Sequence, residues 1–223
     1  MTKTIFIQAI IRFLLGMCLC GLLIFLPAGT LAFANGWLLM GILFAPMGLV
    51  GIVLALKNPE LLRKRLNAKE KQEEQGLVIK LSGLMFVLGF VAAGLGYRFD
   101  WCTLPREVVV RAAVVFLLGY GLYAEVLREN TYLSRTIEVQ ENQKVVDTGL
   151  YGIVRHPMYS VTLLLFLSMP PVLGSVYAFV VFLVYPFIIA KRIKSEESFL
   201  RENLLGYCEY MEKVKYRLIP FVW

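Results

Sequence analysis

The chain has 223 residues, of which 58% are hydrophobic, and its mean hydropathy is +0.68. Soluble globular domains are less apolar than this, so the composition excludes that class and indicates a helical membrane protein. The net charge of +7 does not indicate a nucleic-acid-binding protein, because the basic residues gather in loops beside apolar segments, where they meet lipid headgroups.

Four apolar stretches in the first half of the chain approach the ~20 residues that cross a bilayer as a helix. A polar, basic loop separates the second stretch from the third, and Pro59 near its start indicates that part of the loop is helical. We therefore predict a single all-α domain, a polytopic membrane helix bundle with four spanning helices in residues 1–127. These helices are expected at residues 5–26, 37–56, 77–97 and 107–127.

The last apolar run, residues 157–190, contains no charged residue. At ~1.5 Å per residue it is too long for one span of the ~30 Å hydrocarbon core. Pro170-Pro171 followed by Gly174-Ser175 predicts a break in the middle of the run. We therefore predict a tight hairpin of two helices, which brings the total to about six membrane segments, followed by a C-terminal cytosolic helix. The polar segment before the run, residues 128–149, is expected to be partly extended.

The distribution of basic residues predicts the orientation of the bundle. The loop after the second span and the segments after the fourth span and the hairpin are basic, whereas the first connection is uncharged. The positive-inside rule then places both termini in the cytoplasm of a multi-pass protein, as in a bacterial or archaeal inner membrane. It also places the polar clusters at either end of the hairpin on the cytosolic side.

The first of these clusters, residues 147–159, contains the only histidine of the chain, His156. Pro157 follows it at the start of a helix, and the free amides of such a terminus attract anions. His156 by itself could bind a ligand, carry a proton or anchor the helix at the interface.

The second cluster contains Arg192, Glu196, Glu197 and Arg201. Arg192 and Glu196 are four residues apart, as are Glu197 and Arg201. Each pair could be an exposed ion pair worth only ~0.3–0.5 kcal/mol. The hairpin, however, should bring Arg192 and Glu196 back beside His156, at the mouth of a membrane cavity. The four cysteines have no spacing typical of a zinc site, so we interpret them as packing residues and predict no metal site.

The order of these motifs is similar to that of a known family. Residues 145–151 (VVDTGLY) and 154–159 (VRHPMY) are followed by Arg192 and the double glutamate at 196–197. The tail adds Leu200, Tyr207, Tyr210, Val214 and the segment RLIP at 217–220. In this order the chain resembles the isoprenylcysteine carboxyl methyltransferase and phospholipid methyltransferase superfamily.

The resemblance implies an integral membrane methyltransferase that uses S-adenosylmethionine and acts on a lipophilic or lipid-modified acceptor within the membrane lipid. Arg192 would face the acceptor and Glu196 would complete the cofactor pocket, whereas Glu197 is a weaker candidate. Methylation of a carboxylate oxygen is favoured, although Gln143 stands where eukaryotic carboxyl methyltransferases have a histidine, and this leaves the acceptor open. The residues that would bind the cofactor are Gln143, Lys144, Val145, Val146, Tyr151, His156, Pro157, Tyr159 and Glu196.

This chemistry suits the residue types. Methyl transfer from a sulfonium is an in-line displacement, which requires alignment and exclusion of water rather than a metal or a covalent nucleophile. Glu196 could lie near the cationic cofactor, and Arg192 could orient a carboxylate through its planar guanidinium. Two other interpretations stay open. One is an NAD(P)H-dependent membrane reductase of the sterol reductase type, which has a similar His-Pro region. The other is a non-enzymatic membrane module.

Overall fold

The computed structural model describes residues 3–66, 73–133 and 137–223. The basic positions Lys69 and Lys71 of the second loop lie outside the described residues. The described residues form nine α-helices and one 3₁₀ turn. They are α1 (Lys3–Ala28), α2 (Ala34–Lys57), α3 (Pro59–Leu66), α4 (Glu73–Arg98), α5 (Arg106–Glu129), the turn Gly149–Gly152, α6 (Pro157–Val172), α7 (Val176–Phe182), α8 (Tyr185–Asn203) and α9 (Tyr207–Lys213).

Five stretches of the described chain are long and apolar enough to cross a membrane. Much of their surface is apolar and points away from the protein interior, as with Leu15, Leu22 and Leu118. Continuous apolar surface of this kind is costly in water and favourable in lipid. The chain is therefore an integral membrane protein. The five stretches are Phe6–Ala28, Ala34–Lys57, Gly76–Arg98, Arg106–Glu129 and Val176–Asn203.

The first arm of the predicted hairpin is a shorter helix than the others. α6 has 16 residues, which corresponds to ~24 Å and is less than the hydrocarbon thickness. The described chain thus has five candidate spans and one shorter apolar helix where the sequence predicts about six membrane segments. The first residue of α6, Pro157, and its last, Val172, are both buried in the protein. The length of α6 therefore need not match the thickness of the bilayer.

The break in the last apolar run falls after the two prolines. Pro170 and Pro171 lie inside the final turn of α6, where the amides of Leu173 and Gly174 still bond to carbonyls of that turn. The chain then turns at Gly174, whose φ of +74° suits glycine. On its way back the Tyr185 hydroxyl donates to Thr162 Oγ1 at 3.1 Å. The beginning of α6 therefore lies beside α8.

Close helix contacts depend on glycines. α1 packs against α4, α4 against α7, and α5 against α6. A Cβ on Gly94 of α4 would lie 2.5 Å from the Ile24 carbonyl oxygen of α1, and a Cβ on Gly119 of α5 would lie 2.8 Å from Leu165 of α6. At Gly94 the backbones of α1 and α4 approach closely because no side chain separates them, and at Gly119 the missing side chain leaves room for Leu165.

The polar segment predicted to be partly extended forms no strand in its described residues, 128–133 and 137–149. In the described part of the chain, the one strand-type pairing is an isolated bridge between Thr103 and Ser175. Residues 137–148 instead follow an irregular path, held by hydrogen bonds such as that from Gln140 Nε2 to the Tyr132 carbonyl at 2.7 Å. Residues 134–136 of the segment lie outside the described residues.

We expect Gly94→Ala to lower the free energy of unfolding by roughly 1–3 kcal/mol, because the new methyl group would press on the α1 backbone. Gly121→Ala in α5 is the matched control, since a Cβ there would have no heavy atom within 4 Å. It should leave stability unchanged or raise it by up to about 1 kcal/mol. Thermal unfolding in detergent measures both. Equal stabilities of the two variants would contradict the close α1–α4 contact.

Candidate active site

The turn before α6 places the histidine in the protein interior. Pro157 occupies the first position of α6, and the His156 carbonyl accepts the amides of Tyr159 at 3.0 Å and Ser160 at 3.1 Å. The proline suits this place because the first helical amide has no partner in the helix. The rings of His156 and Tyr159 lie on the same face, with their centroids 5.7 Å apart.

The preceding turn depends on Gly149. Its φ is +51°, and a Cβ there would overlap the carboxylate of Glu129. That carboxylate accepts the Leu150 amide at 3.0 Å, which connects the end of α5 to the turn. Asp147 is connected to α9 by Lys213, with 2.7 Å between Nζ and Oδ2, and this hydrogen bond lowers the pKa of the Asp147 carboxyl. The loop before α6 is thus held between α5 and α9.

α8 presents two of its polar side chains to Tyr159. Arg192 Nε donates to the Tyr159 hydroxyl at 2.7 Å, and that hydroxyl donates to Glu196 Oε2 at 2.5 Å. All three side chains line the same cavity. The structure thus brings Arg192 and Glu196 next to the turn that contains His156.

Glu197, the weaker candidate in the sequence, is buried and has more ionic partners than its neighbour. Arg155 Nε lies 2.8 Å from its Oε1, Arg217 Nε lies 2.9 Å from its Oε2, and His156 Nε2 lies 3.3 Å from Oε1. Only 2% of the Glu197 side chain is exposed. A buried carboxylate is tolerated only where charges and hydrogen bonds compensate it, as these groups do.

The suggested pairing of Glu197 with Arg201 is therefore wrong. Arg201 Nε contacts Met211 Sδ at 3.3 Å, while Glu197 faces inward. A signal for this was present in the sequence. Tyr185, Ile189, Ile193 and Glu197 recur every four residues on the buried face of α8, so the carboxylate continues an apolar stripe.

The buried cluster also fixes the tail. Arg155 Nη1 donates to the carbonyls of Val214 and Lys215 at 2.7 and 2.9 Å. The backbone amides of Arg155 and His156 donate to the carbonyls of Tyr216 and Arg217, both at 2.9 Å. Residues 214–217 thus lie against the turn before α6. Sequence reasoning missed the positioning role of Arg155 and Arg217.

The cavity formed by these elements has a volume of about 510 Å³. One wall is the loop, another is α9, and apolar residues of α4 and α6 line the far end. Pro157 is buried but does not line the cavity. The other predicted residues do, namely Gln143, Lys144, Val145, Val146, Tyr151, His156, Tyr159, Arg192 and Glu196. Lining residues that the sequence prediction did not include are Asn130, Tyr132, Thr162, Tyr185, Tyr207 and Tyr210, among others.

The described residues that line the cavity include no group of side chains suited to a metal ion. Within residues 3–66, 73–133 and 137–223, no three His, Cys, Asp or Glu side chains are grouped so that they could hold a metal ion. Of the four cysteines, Cys20 is buried, and Cys18, Cys102 and Cys208 are exposed in the isolated chain. The interpretation as buried packing residues therefore fits Cys20 alone.

We expect Glu197→Gln to lower the free energy of unfolding by about 3–5 kcal/mol, because it leaves two guanidinium groups without their buried counter-charge. Glu196→Gln, one residue away and only half-buried, should cost less than about 1 kcal/mol. Unfolding of both variants in detergent, without added ligand, measures the difference. If both substitutions have the same small effect, the cluster does not hold the fold together.

Comparison with known proteins gives one family match, which overlaps the cavity. The model of the isoprenylcysteine carboxyl methyltransferase (ICMT) family matches residues 110–202, from within α5 to the end of α8. Among curated proteins, no sequence matches the chain. The family match covers the loop, the His-Pro turn and the double glutamate, which line part of the cavity, whereas α4 and α9, which also line it, lie outside the match. Through these residues the chain is similar to the isoprenylcysteine carboxyl methyltransferase family.

Proposed function

We propose that this membrane methyltransferase uses S-adenosylmethionine to methylate the carboxylate of a lipophilic acceptor. The observation that supports it most is the chain of hydrogen bonds from Arg192 through Tyr159 to Glu196 inside one cavity. It places a group suited to an anionic acceptor beside a group suited to a cationic cofactor.

The residues of the loop side fit the cofactor. The cavity volume of about 510 Å³ is within the usual range for ligand pockets, ~300–1,000 Å³. Glu196 offers a carboxylate that could balance a sulfonium charge. Gln143 and Lys144 add polar side chains from the loop, and Tyr151 and Tyr159 add aromatic surface. Residues of the loop, the His-Pro turn and α8 would hold the cofactor together.

The other end of the cavity fits an apolar acceptor. Val78, Ile79 and Phe86 of α4 line it, together with Phe166 of α6 and Ile189 of α8. Because α4 and the stretch formed by α7 and α8 are candidate spans, we expect this end to lie at membrane depth. A lipophilic acceptor could enter there from the side, while the cofactor reaches the loop side from the cytosol.

Arg192 would orient the reacting group. Its Nε–H is directed at the Tyr159 hydroxyl, which fixes the plane of the guanidinium within the cavity. A planar guanidinium can bind both oxygens of a carboxylate, so it would present one of them in a fixed direction. With both ligands bound, the surrounding apolar and aromatic side chains would exclude water, which would strengthen this interaction.

When bound, S-adenosylmethionine would supply a methyl group on a positively charged sulfur, and the carboxylate oxygen would form its bond to that methyl carbon as the sulfur–carbon bond breaks. The displaced sulfur would leave as a neutral thioether, so the residues of the cavity would not have to move a proton. The task of the protein is thus alignment, which Arg192, Tyr159 and Glu196 would share.

We expect membranes that contain the protein to transfer label from methyl-labelled S-adenosylmethionine into an organic-extractable product. The label should be released by mild base, as from an ester, whereas a methylated amine would keep it. Absence of both cofactor binding and labelled product would contradict the proposed function. Tight NADPH binding without a response to S-adenosylmethionine would favour a reductase instead.

Arg192→Lys should lower the transfer rate at limiting acceptor by roughly 10- to 100-fold, the effect of losing charged hydrogen bonds, and should leave cofactor affinity unchanged. Glu196→Gln should weaken binding of S-adenosylmethionine. Arg201→Lys and Glu202→Gln, exposed on the same helix, are the matched controls and should behave as the parent protein. Calorimetry and initial rates measure these effects, and equal rates for Arg192→Lys and Arg201→Lys would contradict the assignment.

The orientation can be tested with two native cysteines. Cys102 follows α4 beside the far end of α6, and Cys208 lies on α9 beside the cavity. We propose that the cavity faces the cytosol, as the positive-inside rule predicts. In variants that keep one of the two cysteines and lack the other three, an impermeant maleimide should label Cys102 in intact cells and Cys208 only in inverted vesicles. The reverse pattern would contradict this orientation.

A further inference from the structure

The two buried tyrosines of α9 differ in whether their hydroxyl groups form hydrogen bonds. Tyr210 donates its hydroxyl to the Tyr151 carbonyl at 2.7 Å. Tyr207 is only 4% exposed, yet its hydroxyl has no hydrogen-bond partner in the described part of the chain. A buried polar group without a partner is unfavourable, and native proteins rarely keep one without a use.

The Tyr207 side chain lines the cavity next to the loop. It packs in a small cluster with Leu204 and Val145 and lies 5.8 Å from Tyr210, measured between ring centroids. Tyr207 therefore lies beside the loop, which is the part of the cavity that we propose for the cofactor.

The surroundings define which ligand group the hydroxyl could meet. Burial, followed by the negative charges of Glu197 and Glu196, raises the pKa of Tyr207 well above its ordinary value. The hydroxyl therefore stays protonated and can donate. Because two carboxylates are near, a neutral acceptor atom fits this place better than a third carboxylate.

We propose that Tyr207 is a cofactor-binding residue, whose hydroxyl donates to a neutral hydrogen-bond acceptor of the S-adenosyl group, such as a ribose oxygen or an adenine nitrogen. This inference rests on the proposed function. It adds a residue outside the matched family segment, since Tyr207 follows residue 202. The tail helix α9 would then be part of the binding site as well as its cover.

The test is Tyr207→Phe with S-adenosylhomocysteine as the probe. We expect affinity to fall about 3- to 10-fold, the usual effect of one hydrogen bond. The ligand-free variant should unfold at the same temperature as the parent protein or a higher one, because an unsatisfied buried hydroxyl has been removed. The temperature increase that the probe causes should be smaller than in the parent protein. Calorimetry and thermal unfolding in detergent provide these measurements.

Tyr210→Phe is the matched control on the same helix. It should unfold at a lower temperature without ligand, because the Tyr151 carbonyl loses its partner. Tyr216→Phe, in the tail and outside the cavity lining, is the control for binding and should keep its affinity for the probe within about 2-fold. Unchanged affinity in Tyr207→Phe, while the parent protein binds the probe and transfers methyl groups, would overturn this inference alone. A parent protein that neither binds nor transfers would overturn the proposed function as well.

Discussion

The architecture around the cavity depends on one buried carboxylate. Glu197 of α8 binds Arg155, which precedes α6, and Arg217, which lies in the tail. These contacts span 42 and 20 positions of the chain. A carboxylate in the interior has to be compensated by charge and hydrogen bonds, so the three segments must come together for the protein to fold. His156 and the start of α6 are positioned as a consequence.

Helical geometry explains why two adjacent glutamates have different environments. Successive residues of an α-helix are rotated by ~100°, so neighbours cannot share a face. Glu197 continues the buried stripe of α8, and Glu196 is turned toward Tyr159 and the cavity. One carboxylate can therefore secure the frame while the other contacts a ligand. A rigid frame is what a displacement reaction needs, because small errors in alignment reduce its rate strongly.

The cavity also joins two environments. Its loop side carries polar side chains such as Gln143 and Lys144, and its lining also includes apolar residues such as Phe86 of α4 and Phe166 of α6. Phe86 also packs edge-on against Phe182 of α7, with centroids 5.3 Å apart, so the apolar end continues into the core of the bundle. A cofactor with a charged, hydrated head and an acceptor with an apolar body would thus each meet a surface of matching polarity.

Both the spans and the candidate site residues could be predicted from the sequence, for different physical reasons. Long apolar stretches can only be satisfied by helices in lipid, so hydropathy predicted the four helices of residues 1–127 within a few residues. The order of motifs predicted a set of side chains of which the structure places all but Pro157 on the cavity lining. Their roles in cofactor binding stay a prediction.

The sequence by itself determined the membrane class, the spanning helices and the similarity to a family, because these follow from composition, period and motif order. Only the tertiary structure decided that Glu197 is buried with Arg155 and Arg217, that α6 is too short for an ordinary span, and that the Tyr207 hydroxyl lacks a partner among the described residues. These features depend on helix rotation and on the path of the tail. The apolar stripe of α8 indicates in the sequence which way Glu197 faces. Its partners Arg155 and Arg217 and the path of the tail do not follow from a linear pattern of charges, because they lie on other segments of the chain.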